Sequence, residues 1–492
     1  MNKTYIKSLF LLVLFVIPSI HLIAQDLSKI LERSFLSKNK EELRPYLSAE
    51  FAIAGQTHQS AINSLDQLLQ RYPIKTIEEL KQSNPLKTNH RLFQFELTNG
   101  SKDSSIVQLD LEGKIKYIHL FDKLFGMNRT EKATQVAKIP FENKNGSIIL
   151  KVRINEYSKE LNLLFDTGAD GMAVQQDLAE LIDLKVTRQN NASVVGGNQQ
   201  IKVSDNNQVK LNDLTLNNMS IAIFPKHDKD GTDGIIGNTL FRRYITEIDF
   251  DNNFITLYNF GEFQYPEQAH VFKSSFPTGV MEIPANLSIV NGKIASGNFI
   301  FDSGANYNLI CFRTFVLKHK LLVSGFKSLI QSNTVSLGIA TPTFTGTADY
   351  FQMATLAENK TIPVTLMGAT QQANNWDPQA DGSIGIRTIS RYHIIINLAQ
   401  HEVAMTANKL SKMPQDFICK NNIFGWNNQG QLICLQSMPA NKDTLQNKQI
   451  NSIDGIPADQ LSKKPKLIEK IKQKALTKTI SIVFDDGTKS SI

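Results

Sequence analysis

The spacing of apolar positions divides the chain into segments of different period. Leu27, Ile30, Leu31 and Phe35 recur at helical spacing, and a second helical pattern covers residues 61–69. Strand-like runs follow at 91–97 and 105–111 and, after Gly113, at 114–121. Over the next 280 or so residues, short apolar strands alternate with Gly-containing turns. Near the end, Leu467, Ile468, Ile471 and Ala475 form one side of an amphipathic helix over 463–478, whose other side is rich in lysine. The elements together predict a mainly β protein with a small α+β region in front.

Within the β-rich middle, one pattern occurs twice. Leu163-Leu164-Phe165 runs into Asp166-Thr167-Gly168-Ala169-Asp170, and Phe299-Ile300-Phe301 runs into Asp302-Ser303-Gly304-Ala305-Asn306. Helical patterns follow both turns, at 175–182 and 312–322. A second element also repeats, Asp233-Gly234-Ile235-Ile236-Gly237 and Asp381-Gly382-Ser383-Ile384-Gly385. Beyond each stand an Arg-Tyr pair, Arg243-Tyr244 or Arg391-Tyr392, and a strand, 245–250 or 393–398. At average composition an Asp-Ser/Thr-Gly tripeptide arises about 0.2 times in such a chain. Two ordinary turns would explain the tripeptides alone, but not the matched second element.

Two aspartates in equivalent turns suit one kind of chemistry. Hydrolysis of a peptide without a metal or a covalent nucleophile needs a base for the water and an acid for the carbonyl. Two carboxyls sharing one proton provide both. Close like charges resist joint ionisation, so one of the pair keeps its proton. Asp166 and Asp302 are therefore the catalytic candidates. Gly168 and Gly304 lack a Cβ, which lets two turns approach closely, and Thr167 and Ser303 offer hydroxyls. Ser193-Val194-Val195-Gly196-Gly197-Asn198, before a strand-like run to Leu211, is a candidate flap with Gly196 and Gly197 at its tip. Thr334-Val335-Ser336-Leu337-Gly338-Ile339 is its weaker counterpart, with Gly338 at the turn. A plain surface hairpin explains either equally well.

These motifs resemble the aspartic peptidase superfamily over residues 137–408. The arrangement is similar to a bacterial two-lobe, single-chain enzyme of the retropepsin/pepsin-like kind. The resemblance implies two retropepsin-like closed β-barrel lobes, residues 129–265 and 266–410, forming an aspartic-peptidase fold. It implies that Thr167 and Ser303 bond to the opposite turn, and that Asp170 hydrogen-bonds substrate backbone, with Asn306 in its place in the second lobe. A peptide or protein substrate is implied, with no cofactor and no metal. The first flap candidate lacks the tyrosine that pepsins carry there. Ala169 and Ala305 stand where pepsin-like enzymes have Ser or Thr, whose hydroxyl lowers the carboxyl pKa. The resemblance thus implies activity at weakly acidic to neutral pH.

Residues 25–128 loosely resemble nuclear-transport-factor-like or SnoaL-like α+β domains, with substrate capture, dimerisation and a propeptide role all open. Residues 411–492 resemble a PDZ domain, carried by Gln449-Ile450-Asn451-Ser452-Ile453-Asp454-Gly455-Ile456-Pro457 and a closing strand at 480–486. That likeness makes Phe424, Gly425 and Trp426 candidates for a carboxylate-binding loop, with a C-terminal peptide as ligand. The alternative is a degenerate β-domain that only packs on the peptidase.

Composition narrows the setting. Lys3 and Lys7, the apolar run 8–23 and Ala24 read as an export leader over 1–24, giving a periplasmic or extracellular protein with no stable membrane span after its removal. The net charge of +7 falls by two with the leader and is too scattered for nucleic-acid binding. Cys419 and Cys434 could pair in an oxidising compartment, or they and Cys311 could be buried thiols. None of the three has metal-ligand spacing. The expectation is an exported aspartic endopeptidase; the alternative is a catalytically silent peptide-binding scaffold using the lobes and the tail.

Overall fold

In the computed structural model, the described residues are 26–492 except 82–88, 226–230, 291, 337, 360 and 438–444. The leader and part of the second flap candidate, at Leu337, lie outside them. The chain is mainly β.

The front region pairs helices Leu27–Ser37 and His58–Arg71 with a four-stranded antiparallel sheet. Leu27, Ile30, Leu31 and Phe35 are buried on one helix face, as their spacing requires. Phe121 sits edge-on to both Phe35 and Phe95. The strand expected over 114–121 ends at Ile118, and helix His119–Leu124 takes over. Ser105 Oγ accepts from the Leu120 backbone N–H at that helix start, at 2.8 Å, which gives the turn a partner outside the ladder. The unit docks on the second repeat. Thr57 exchanges two hydrogen bonds with the Phe276 backbone, and Ser60 Oγ donates to the Pro277 carbonyl at 2.5 Å.

The sequence repeat becomes two eight-stranded sheets in which seven strands follow a matching order. In the first, Leu161–Phe165 lies parallel to Gly234–Ile236, which lies antiparallel to Met172–Gln175. In the second, Ile294–Asp302 lies parallel to Gly382–Gly385, which lies antiparallel to Leu309–Cys311. Each sheet closes on itself by a long strand. Gly197–Leu211 reaches Ser147–Ile154 through Val209 and Lys210. Ile339–Ala348 runs on past Asp349 into Tyr350–Met353, which pairs with Glu282–Ser288. The repeats then share a six-stranded sheet in which Ile245–Asp249 pairs with Tyr392–Asn397. Across that seam His393 Nε2 lies 2.8 Å from Glu247.

The tail has its own core around Trp426, Phe424, Ile453 and Phe484. Its strands run in the order Phe417–Cys419, Asn422–Trp426, Leu432–Gln436, Gln449–Ile453, Ser481–Phe484, Lys489–Ser491. The amphipathic stretch contains the helix Lys466–Ala475, with Ile468, Ile471 and Ala475 buried, and a short helix, Ala458–Lys463, precedes it. Pro465 separates them because it disfavours a helical residue before it. Cys311, Cys419 and Cys434 are free, buried thiols, so Cys419 and Cys434 are not bonded. Burial pushes Cys419 up to about 11 and Cys434 to about 12.

One buried ion network joins tail and second repeat. Arg387 Nε and Nη2 each donate to Asp416 at 2.9 Å, with both side chains essentially inaccessible. Arg387 also donates to the Trp426 carbonyl, and Asn308 Nδ2 donates to Asp416. Arg391, from the repeated Arg-Tyr pair, donates to the Leu410, Met413 and Pro414 carbonyls. Removing one member of such a pair strands the other charge, at a cost of about 3–5 kcal/mol. Asp416→Ala is therefore expected to lower the denaturant midpoint of this chain substantially, and an unchanged midpoint would contradict that role.

Candidate active site

Both aspartates sit where an apolar strand enters a tight turn. Phe165 and Phe301 are fully buried just before them, which fixes each turn to a rigid element. The two turns interlock. Thr167 Oγ1 donates to the Phe301 carbonyl at 2.5 Å and accepts from the Ser303 N–H at 2.9 Å. Ser303 Oγ donates to the Phe165 carbonyl at 2.7 Å and accepts from the Thr167 N–H at 3.0 Å. Four buried bonds thus tie the repeats together at this point. Gly168 and Gly304 are required by the close approach. A Cβ on Gly304 would collide with the Asp166 carboxyl, and one on Gly168 would lie 2.8 Å from Asp302 Cγ.

The structure brings Asp166, Thr167, Gly168, Asp302, Ser303 and Gly304 together. Each carboxyl lies against the glycine of the opposite turn, and both keep a partly exposed edge. Their surroundings differ. Asp166 accepts from the Gly168 N–H at 2.9 Å. Asp302 accepts from the Gly304 N–H at 3.0 Å and also from Ser383 Oγ at 2.9 Å, with the Tyr307 hydroxyl 3.5 Å away. Burial, then the charge of Asp302, pushes Asp166 well above the ordinary carboxylate range. Burial also raises Asp302, but the Ser383 hydroxyl and the backbone donors oppose it. The pair titrates as one unit, and Asp302 has a side-chain hydroxyl donor, Ser383. Burial raises Tyr307 well above the ordinary phenol, so it stays a donor. Ser383 and Tyr307 were missed in the sequence; the available signal was Ser383 standing where the first repeat has Ile235.

The first flap candidate is a hairpin, Arg188–Val194 with Gly197–Leu211, closed by a two-residue turn. Gly196 has φ +92°, in the left-handed region that favours glycine, and Gly197 is buried opposite Val194. Its tip crosses to the second repeat. Val195 packs on the apolar cluster of Ile310, Phe312, Met367, Trp376 and Ala380, beside Tyr307. Trp376 Nε1 donates to Ser193 Oγ at 2.9 Å. The second hairpin, Ile330–Ser336 with Ile339–Ala348, has Gly338 at φ +89° with open space around it. The two hairpins meet where Gly196 lies against Thr341.

The remaining candidates sit elsewhere. Asp170 is half exposed beside the first turn, with Oδ1 held by Arg242 at 2.9 Å and by Asn238 at 3.1 Å. Phe424, Gly425 and Trp426 do not form a loop. They belong to the strand Asn422–Trp426, buried throughout; Phe424 is paired on both sides, and Gly425 and Trp426 pair with Ile433 and Leu432. Gly425 is required because the Asp416 carboxylate lies against it. Among the described residues, no group of three or more His, Cys, Asp or Glu is placed to hold a metal.

Trp376→Phe keeps an aromatic ring, though a smaller one, and removes the donor to Ser193. One hydrogen bond contributes about 1 kcal/mol, roughly a five-fold change in an opening equilibrium. Amide exchange in the hairpin 188–203 is expected to quicken by that order; unchanged exchange would show that this bond does not hold the hairpin down.

Comparison with known proteins adds the following. Residues 150–240 match the model of an aspartyl protease family. No curated protein matches the chain. Among solved structures, the aspartic proteinase of Irpex lacteus is similar over 56% of this chain and 98% of its own, at 13% identity and a TM-score of 0.36.

Proposed function

We propose that this protein is an exported aspartic-type endopeptidase, periplasmic or extracellular, that hydrolyses peptide bonds with water activated by Asp166 and Asp302. The observation that carries this reading is the pair of facing carboxyls held by reciprocal Thr167 and Ser303 bonds between two repeats. The match of residues 150–240 to an aspartyl protease family supports it.

In this reading, an extended peptide lies between the dyad and the two hairpins. A water rests against both carboxyls. Asp302, ionised, takes a proton from the water as its oxygen attacks the carbonyl carbon. Asp166 gives its proton to the carbonyl oxygen, so the tetrahedral intermediate forms as a neutral diol. Asp302 then returns its proton to the departing nitrogen as the C–N bond breaks. One hydroxyl of the diol gives a proton back to Asp166 as the carbonyl reforms, which restores the starting pair. The apolar cluster now filled by Val195 supports a preference for large apolar residues near the scissile bond. The tail enters the proposal as a domain packed on the second repeat, since its candidate peptide loop is an interior strand.

Incubation with a diverse peptide library tests the reading. The wild-type protein is expected to cleave internal peptide bonds. Asp166→Asn and Asp302→Asn should each abolish cleavage while leaving the fold intact, and the double variant should be little worse than either single one. Full activity in either purified variant, or peptide binding without cleavage by the wild type, would overturn it.

A further inference from the structure

The repeats are similar enough that their differences stand out around the dyad. The second repeat has one residue more between its aspartate and the strand that follows, since Met172 and Leu309 hold equivalent register positions against Ile236 and Ile384. Tyr307 stands in that longer turn. In the Gly-rich strand, Ser383 stands where the first repeat has Ile235. Both differences aim a hydroxyl at the same atom. Ser383 Oγ donates to Asp302 Oδ2 at 2.9 Å, and Tyr307 OH lies 3.5 Å from it. Around Asp166 the corresponding positions offer no hydroxyl, because Ala169, Gly171 and Ile235 stand there.

We infer that Ser383, backed by Tyr307, is a positioning residue that gives the dyad a direction, stabilising the charge on Asp302 and leaving the proton on Asp166. The inference rests on the dyad being the working site. A symmetric pair can start catalysis from either carboxylate, and half of its singly protonated molecules would hold the proton on the wrong side of a bound substrate. Two donors on one oxygen remove that degeneracy, because a carboxylate accepts hydrogen bonds more strongly than a carboxylic acid. The arrangement also replaces what the two alanines lack. Ala305 offers no hydroxyl to Asp302, and Ser383 supplies one from the neighbouring strand. The expectation drawn from Ala169 and Ala305 therefore applies to Asp166 alone.

The groups that face the pair and titrate are the two aspartates themselves and Tyr307; Ser383, Thr167 and Ser303 contribute neutral hydroxyls. Loss of the Ser383 donor disfavours the ionised form of Asp302 and raises the first ionisation of the pair. The second ionisation, loss of the proton from Asp166, changes much less. A bond to a charged group is enough to move that first step by roughly one pH unit.

The experiment compares wild type, Ser383→Ala, Ser383→Thr and Tyr307→Phe by two readouts. The first is the pH profile of kcat/KM on a peptide without ionisable groups. The second is the pH titration of ¹³C-labelled aspartate carboxyls in the intact chain, with Asp302→Asn and Asp166→Asn assigning the signals. Ser383→Ala should move the acid limb, and the Asp302 titration, upward by roughly one unit and leave the alkaline limb in place. Tyr307→Phe should do the same to a smaller extent, and Ser383→Thr should restore the wild-type limb. A uniform loss of activity at all pH values, with unshifted carboxyl titrations, would assign Ser383 a structural role and overturn the inference. The NMR titration reads the pair even if no peptide is cleaved, so failure of the peptidase reading and failure of this inference give different results. If Ser383→Ala fails to fold, Ser383→Cys and Tyr307→Phe carry the same test, with an unshifted titration in both counting against it.

Discussion

Two carboxyls this close resist joint ionisation, so the turns that bring them together must be held there. In this chain the holding element is the reciprocal bonding of Thr167 and Ser303, each hydroxyl donating to the strand of the opposite repeat and accepting from the opposite turn. All the groups involved are buried, so none can exchange its partner for water, and leaving one unmade would cost its full desolvation. The rest of the molecule serves that constraint. Each turn hangs from a parallel strand pair, and the glycines beside the hydroxyls make room for the opposing carboxyl.

The interlock fixes one point, and the surrounding structure keeps the repeats from pivoting about it. The shared sheet joins them edge to edge, with Glu247 and His393 facing each other across the seam. The front unit is tied to the Phe276–Pro277 backbone, close to where the second repeat begins. Asp416 of the tail receives two bonds from Arg387, which follows the Ser383-bearing strand, and one from Asn308, which follows Tyr307. The tail is thus bonded to the same two segments that set the surroundings of Asp302. The first hairpin is tied across the repeats by Val195 on its apolar cluster and by the Trp376–Ser193 bond.

The dyad was legible in the sequence because duplication wrote it twice. An Asp-Thr/Ser-Gly turn behind three apolar residues is informative, and a matched downstream Gly turn makes it specific. Pattern reading served less well where contacts join distant positions. Ser193 and Trp376 are bonded across the two repeats, and nothing local to either marks the partnership. Arg387 and Asp416 are both charged, and charge in a sequence reads first as surface. The PDZ-like resemblance misled at Gly425, which lies in a buried strand and makes room for a buried carboxylate. Ser383 was visible throughout as a mismatch inside an otherwise matching motif, and the mismatch is what sets the two aspartates apart.

The central claim is that the two carboxyls act as one unit on a peptide's tetrahedral intermediate. The most direct measurement is a crystal structure of the intact protein with a peptide carrying a hydroxyethylene isostere in place of its scissile bond. The account predicts that the first hairpin lifts Val195 from its apolar seat, that the peptide runs extended beneath it, and that the isostere hydroxyl lies about 2.6–3.2 Å from both Asp166 and Asp302. A peptide bound elsewhere on the chain at saturating concentration, with the carboxyls bonded only to each other and the hairpin still seated, would contradict it.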